Sequence, residues 1–433
     1  MTAERVGPAA FCGLPVGWHD CLARALDKGL PTHQGHATTD RADSAHRAGP
    51  PVDSTGMDTN LQIVPLSRSA AQVLRFLKVS YQIYRDDPHW VAPLLSDLKK
   101  VFTDENPLLQ HAEIALWVAV SDGRDVGRIA GILDHNHNRT QNDSAAFFGF
   151  FECVHDAAVS GRLFATVLAW ARERGVRRML GPMNPTANDE CGLLVDGFDS
   201  PPVFMMTYNP RYYVDLVAAE GFQKAKDLLA YHLDLAKCPL DRLARIAEMT
   251  RRRHPELTFT SIRKATLVRD LVKVKEVYNA AWQDNWGFVP MTDAEIDFMA
   301  DRLKPLLVEG LVWLVESPTE PVGFLLALPD YNSALKPLRG RLITPKLLGF
   351  LPYLFGWKYP PCCRCITLGV KVKYRNRGLE SVMLTEGFRT GLKIGFKDAE
   401  ASWILEDNTM MRRLLETFGG RVYKTYRLYA RAV

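Results

Sequence analysis

From Leu61 onward the apolar residues fall into two alternating rhythms, one of period two and one of helical period, in a regular order. LQIVPL reads as a strand, and SAAQVLRFLKVSYQIYRD has apolar positions at helical spacing. IALWVAVSDGRDVGRIAGILD reads as two strands joined at Asp122-Gly123, a pair that suits a tight hairpin turn. AFFGFFECV supplies a fourth strand, and GRLFATVLAWARERG a helix closed by Gly175. RRMLGPM then reads as a strand and YYVDLVAAEGF as a helix, followed by the last strands of this half.

The same order returns in the second half. LTFTSIRK is a strand, ATLVRDLVKVKEVYNAAW a helix, and LVWLVES with PVGFLLALPD a hairpin across Pro-Thr-Glu. CITLGVKVKY is the fourth strand and LESVMLTEGFRTGLKIG the helix after it. EASWILE, NTMMRRLLETFGG and RVYKTYRLYARA supply strand, helix and terminal strand. A recurrence on this scale predicts two α/β domains from an ancient duplication, 57–250 and 251–433, meeting near the polar TRRRHPE. Residues 1–56 lack periodicity and are rich in Gly, Ala, Pro, His, Arg and Asp, so they are expected to be disordered. They have no signal-peptide layout, and are either a dispensable tail or an over-extended start ahead of Met57.

Composition narrows the partners. The chain has 433 residues, 47% apolar and 24% charged, with a net charge of +5. So mild an excess gives no support to nucleic-acid binding, but suits an anionic cofactor or loose attraction to an anionic membrane face. Eight cysteines without a regular framework fit a reducing cytosol. Cys362, Cys363 and Cys365 lack a fourth ligand at zinc-like spacing and read as buried strand thiols, so no metal is expected. The most apolar stretch, LITPKLLGFLPYLFGW (342–357), is interrupted by Lys346 and two prolines. It is expected to lie at an interface rather than to cross a bilayer, which makes the expected location cytoplasmic, with peripheral contact at the inner membrane face left open.

KYRNRGLES (373–381) places cations and a glycine where a strand gives way to a helix. Gly378 either serves a tight turn alone, or opens a helix whose free N–H groups and dipole, with Arg375 and Arg377, form an anion site. With that order of elements, the second half resembles the GNAT acyltransferases, in which Arg/Gln-x-x-Gly-x-Gly/Ala holds the diphosphate of an acyl-CoA. The matching residues are Arg375, Asn376, Arg377, Gly378, Leu379 and Glu380, with Asn408 after the fifth strand. The whole chain looks like two GNAT-like domains in tandem. The resemblance implies a mixed, mostly antiparallel sheet flanked by helices in each, and acyl-CoA as co-substrate. Glu380 departs from the family's small residue, and Leu414 and Leu415 stand where a thiolate-protonating tyrosine is common. The first half lacks the Arg-x-x-Gly turn, but has Asn209, Tyr212 and Tyr213 ahead of Gly221-Phe222.

Acyl transfer to an amine needs a base, a polarised thioester, an acid for the thiolate and a dry site. Glu152, ending an aromatic strand, is the candidate base; its alternative is a solvent-facing carboxylate or an ion pair with Arg128. Tyr213 is the candidate acid. His135 and His137 are expected to alternate along a strand end and share a face, with His137 as base or substrate contact. The long polar connection 181–198 offers Asn184, Asn188 and Glu190 to an acceptor pocket, or is simply turn chemistry. NWGFVP and PDYN, with Asp330 and Asn332, lie where GNAT enzymes build their acceptor side, although Trp286 and Phe288 equally suit core packing. Two functions stay open: an acyl-CoA-dependent N-acyltransferase working by direct attack, or a non-catalytic acyl-CoA-binding module on a decayed fold. If 342–357 handles lipid, the acceptor is a long-chain amine and the product an amide of ceramide type.

Overall fold

The computed structural model describes residues 60–283, 285–342 and 344–433; the segment expected to be disordered lies outside them. The first half contains strands β1 (Gln62–Leu66), β2 (Ala112–Ser121), β3 (Arg124–Asp134), β4 (Ala145–Cys153) and β5 (Arg178–Gly181). The short strands β6 (Met183–Asn184), β7 (Glu190–Cys191) and β8 (Leu193–Asp196) precede its long last strand, β9 (Gln223–Asp234). Its helices are α1 (Ala70–Ile83), α2 (Leu95–Lys100), α3 (His135–Gln141), α4 (Ala157–Glu173) and α5 (Tyr213–Ala219). After α6 (Leu240–Arg253), the second half has β10 (Thr258–Ser261), β11 (Val312–Glu316), β12 (Pro321–Pro329), β13 (Cys362–Val370), β14 (Asp398–Leu405) and β15 (Arg421–Ala432). Its helices are α7 (Leu267–Trp282), α8 (Asp293–Leu303), α9 (Asn332–Leu335), α10 (Leu347–Leu354), α11 (Leu379–Lys393) and α12 (Thr409–Thr417).

One local expectation is corrected. His135 and His137 do not extend a strand. The Asp134 carboxylate accepts from the N–H groups of Asn136 (2.9 Å) and His137 (3.3 Å) and starts α3 there. Two positions apart on a helix, the histidines face different ways, His137 buried and His135 exposed. The polar TRRRHPE, near which the two halves are expected to meet, is helical at its start, because α6 runs through Arg253. Leu243, Ala247 and Thr250 recur at helical spacing and are buried, while the arginines occupy the last turn, where cations suit the helix dipole.

One sheet spans both halves in the order β1-β2-β3-β4-β5-β15-β9-β14-β13-β12-β11-β10, with β8 also on β15. The order departs from two self-contained domains at its centre. β15, the last strand of the second half, pairs antiparallel with β5 and β9 of the first. Conversely β9, the last strand of the first half, pairs with β14 of the second. Each half thus completes the other's sheet, and the α/β architecture is a tandem with exchanged terminal strands.

Side chains reinforce the exchange. The Asp330 carboxylate accepts from the Phe204 N–H (2.8 Å), and Asn332 Nδ2 donates to the Pro202 carbonyl (2.9 Å). Buried Lys424 on β15 donates to the carbonyls of Gly197 and Ser200. Gln141 donates to the Phe288 carbonyl (2.6 Å), and His111 lies between Asp134 (3.0 Å) and Glu295 (3.3 Å), which also caps α8.

A chain ending at Arg253 would strip β5 of one neighbour and β9 of both, exposing three unpaired edges. It should fail to give a soluble monomer with a cooperative thermal transition, and co-expression of residues 254–433 should restore one. Gel filtration and calorimetry of the fragments check this.

Candidate active site

β13 and β14 run parallel and pair from Cys362↔Asp398 to Cys365↔Ala401, and then part. Both strands continue, β13 to Val370 and β14 to Leu405, so the sheet opens as a fork. At the fork, β13 carries one residue too many for its partner on the other side: Thr367 faces Leu326 and Cys365 faces Ala327, leaving Ile366 over. Such a bulge re-aims the backbone and frees it from the ladder. On β14 the ladder with β9 also slips, between Ala401 and Ile404.

The fork opens into a cavity of about 320 Å³, within the range of small-molecule sites. Its walls are mostly apolar. Leu271, Val274, Tyr278 and Trp282 come from α7, Ile296, Met299 and Leu303 from α8, and Trp286, Phe288 and Met291 from the segment between them. The first half contributes as well: Ala187, Asn188, Asp189 and Cys191 line the same space. The Tyr278 hydroxyl donates to Asn188 Oδ1 (2.8 Å), and Asn188 Nδ2 donates to the Val289 carbonyl (3.3 Å), so the first half braces the wall it faces.

The polar end lies where the strands part. Arg364 and Glu400 are cross-strand partners, 3% and 1% exposed. Arg364 Nε donates to Ser402 Oγ (3.0 Å), and Ser402 Oγ donates to Glu400 Oε1 (2.5 Å). The Tyr423 hydroxyl donates to the other carboxylate oxygen. Arg364 also donates to the carbonyls of Phe204 (3.0 Å) and Met205 (2.6 Å), which fixes its plane. Burial raises the Glu400 carboxyl above the ordinary range, with Arg364 opposing the shift. Asp189 and Glu190 are raised for the same reason. Trp403 Nε1 and the Tyr426 hydroxyl are buried beside this network without a protein partner, a cost that water or a polar ligand group would relieve.

The glycine junction behaves differently from its sequence reading. Asn376 (φ 63°) and Gly378 (φ 80°) take left-handed conformations and lead into α11, which no side chain caps. A Cβ at Gly378 would lie 2.8 Å from Thr250 Oγ1 of α6. Arg375 does not project freely: it donates to the carbonyls of Val370 (3.2 Å) and Ala281 (2.6 Å), beside the cavity residue Trp282. Arg377 donates to the Lys373 carbonyl (3.2 Å) and lies over the Tyr374 ring. Leu379 is buried. Glu380 is half-buried, its carboxyl raised by desolvation and held against its own backbone N–H. Asn408 caps α12 through the Met411 N–H (3.1 Å) and lines the cavity.

The first half has its own fork, and it is filled. β4 and β5 pair from Ala145↔Arg178 to Phe147↔Leu180. Beyond that, Asn184 Oδ1 accepts from the Phe150 N–H (2.6 Å), and the Met183 carbonyl fits only against a glycine, Gly149. Glu152 and Tyr213 lie outside the cavity lining. The Tyr213 hydroxyl donates to Glu152 Oε2 (2.8 Å) and accepts from the Cys153 N–H (2.8 Å), while Arg128 reaches Glu152 from the other side. This is a buried lock, and the Arg128 pairing is one of the alternatives the sequence offered. His137 is buried against Phe147, its Nε2 unpartnered, in a separate small void of about 10 Å³. Of the acceptor candidates, Asn188 lines the cavity, Glu190 lies near Arg364, and Asp330 and Asn332 tie the 202–204 loop. Asp330 is raised to about 6 by burial. The Arg364–Ser402–Glu400 network escaped the sequence reading; its signal was a full charge inside each of two apolar strands.

No protein-family model matches the sequence. The bacterial ceramide synthase of Caulobacter vibrioides is 33% identical over 403 residues, covering 88% of this chain and 100% of that one. Protein YghO of Escherichia coli is 32% identical over 367 residues, covering 83% and 92%. Among solved structures, a tandem GNAT protein from the clavulanic acid biosynthesis pathway superimposes with a TM-score of 0.54 at 13% identity, covering 86% of this chain and 98% of that one. With an exchanged tandem sheet, a forked fourth and fifth strand, and identity of this order over nearly full length, the chain belongs to the same family as the Caulobacter and Escherichia proteins, built on the tandem GNAT fold.

Proposed function

We propose that the protein is an acyl-CoA-dependent N-acyltransferase that joins a fatty acyl group to a long-chain amine, giving an amide of ceramide type. The observation that carries this reading is the apolar cavity at the β13/β14 fork, closed at one end by a buried polar network. The name of the Caulobacter relative supports it.

In this scheme the thioester carbonyl rests against the bulge at Ile366, and the amine enters from the side of Asp189 and Ser402. The nitrogen attacks the carbonyl carbon, a C–N bond forms and the C–S bond breaks. The proton lost by nitrogen passes through the Ser402 hydroxyl to Glu400, which burial makes a stronger proton acceptor than an exposed carboxylate. Arg364 orients Ser402 and favours the ionised Glu400 carboxylate that takes up the proton. The thiolate of CoA departs toward the α11 end and takes its proton from solvent, since Leu414 and Leu415 offer none. The apolar walls exclude water from the thioester.

Thiol release from acyl-CoAs of increasing length, with long-chain amines as acceptors, tests the reaction. Each buried methylene contributes about 0.8 kcal/mol, so kcat/KM should climb from acetyl-CoA to palmitoyl-CoA below the micellar range. Absence of thiol release across the panel would refute the assignment. Glu400→Gln should lower kcat by roughly a hundredfold or more while leaving CoA affinity intact. In the wild type kcat should rise with pH as Glu400 ionises, and this limb should vanish in Glu400→Gln; a retained limb would place the base elsewhere. Glu380→Ala removes a carboxylate from the opening of α11 and should tighten CoA about fivefold, given about 1 kcal/mol for a like charge at contact in water. Calorimetry showing unchanged or weaker CoA binding would argue against a diphosphate at that helix.

A further inference from the structure

Helix α10 and the turn after it, residues 347–358, play no part in the cavity lining. One face of this segment is packed. Phe350 is buried with Leu338 and Tyr331, and Leu347 and Tyr353 lean on the same cluster. The outer face is apolar and uncovered. Leu348 is 68% exposed and Trp357 78%, and Trp357 stacks on Phe355 with ring centroids 5.2 Å apart. Leaving a tryptophan and a phenylalanine stacked in water forgoes the burial that usually accounts for such residues.

The charge along this stretch of the chain has one sign. From Tyr331 to Pro361 the chain carries Lys336, Arg339, Arg341, Lys346 and Lys358, and no aspartate or glutamate. All five cations are exposed, with Lys346 at the start of α10 and Lys358 just beyond Trp357, over the Tyr353 ring. Aromatic and aliphatic tips between lysines match the boundary of an anionic bilayer, where rings sit at headgroup level and lysines reach the phosphates. A protein partner fits less well. A stable protein interface buries about 1,200–2,000 Å² in total, more than three side chains on an eight-residue helix and its turn supply. No helix among the described residues is long and apolar enough to cross a membrane, so contact of this kind is peripheral.

We infer that residues 346–358 form a docking surface for an anionic lipid bilayer. Leu348, Phe355 and Trp357 enter the headgroup boundary, and the surrounding lysines and arginines hold the phosphates. The surface also lies close to the cavity. Phe204 and Leu306 pack both against the cluster under α10 and against the cluster that contains cavity residues Phe324 and Leu303. Phe204 and Leu306 thus link the core under the docked face to the cavity wall. The surface stands on its own exposure and charge, whatever the reaction proves to be.

Sedimentation of the full chain with vesicles tests the inference. Wild type should pellet with phosphatidylcholine vesicles containing phosphatidylglycerol, and roughly tenfold less with phosphatidylcholine alone or at high salt. The triple variant Leu348→Ser, Phe355→Ser, Trp357→Ser should lose at least about tenfold in partitioning, with an unchanged melting temperature and elution volume. Trp357→Ser alone should show a smaller loss, and decides the matter if the triple variant melts early. Equal pelleting of wild type and Trp357→Ser, or no pelleting on anionic vesicles, would overturn the proposal. So would a wild-type dimer that the same substitutions disperse, since a second copy would then be the occupant.

Discussion

The pairing of β15 with β5 and β9, and of β9 with β14, is the constraint from which the rest of the molecule follows. Backbone hydrogen bonds at a sheet edge must be met by another strand or by water. Here each half meets them with the other's last strand, so neither can be moved or lost without opening the centre of the sheet. The exchange also brings Tyr423, Lys424 and Tyr426 of β15 alongside β14 through β9, and carries the 197–205 loop of the first half onto the second. The polar end of the cavity is therefore a product of both halves.

A duplicated architecture has been put to unequal use. Both halves part their fourth and fifth strands after a few parallel pairs. In the first, Met183 and Asn184 fold back into the opening and the glycine at 149 lets their backbone come close. Aromatic side chains and the Glu152–Tyr213–Arg128 lock fill what remains. In the second the fork opens into the cavity, and the connection that plugs the first fork continues on to line the second through Asn188 and Asp189. The first half thus acts as a wall and a brace for the second.

The polar network shows how buried charge is accommodated at the end of the cavity. Buried charges cost several kcal/mol each unless they are paired and hydrogen-bonded. Arg364 meets four acceptors and Glu400 two hydroxyl donors, so most of that cost is offset. Desolvation still leaves the Glu400 carboxyl with a raised proton affinity.

The sequence by itself determined the order of the main strands and helices and their tandem recurrence, because strand and helix periodicities follow from local backbone geometry and side-chain patterning. It also located the glycine junction at 378 and the apolar stretch now seen as α10, since both are contiguous. Asn188 and Asn408 were legible for the same reason, each sitting in a polar connection at a strand end. Tertiary structure alone decided which fork is open, because a plug of two residues reads like any turn. It showed that Glu152 and Tyr213 satisfy each other instead of facing a cavity. It also brought Arg364 to Ser402 and Glu400, at least 36 positions further along the chain, where two strands run side by side. Periodicity fixes which face a residue takes, but not what stands opposite it. That is set by strand pairing across the whole sheet.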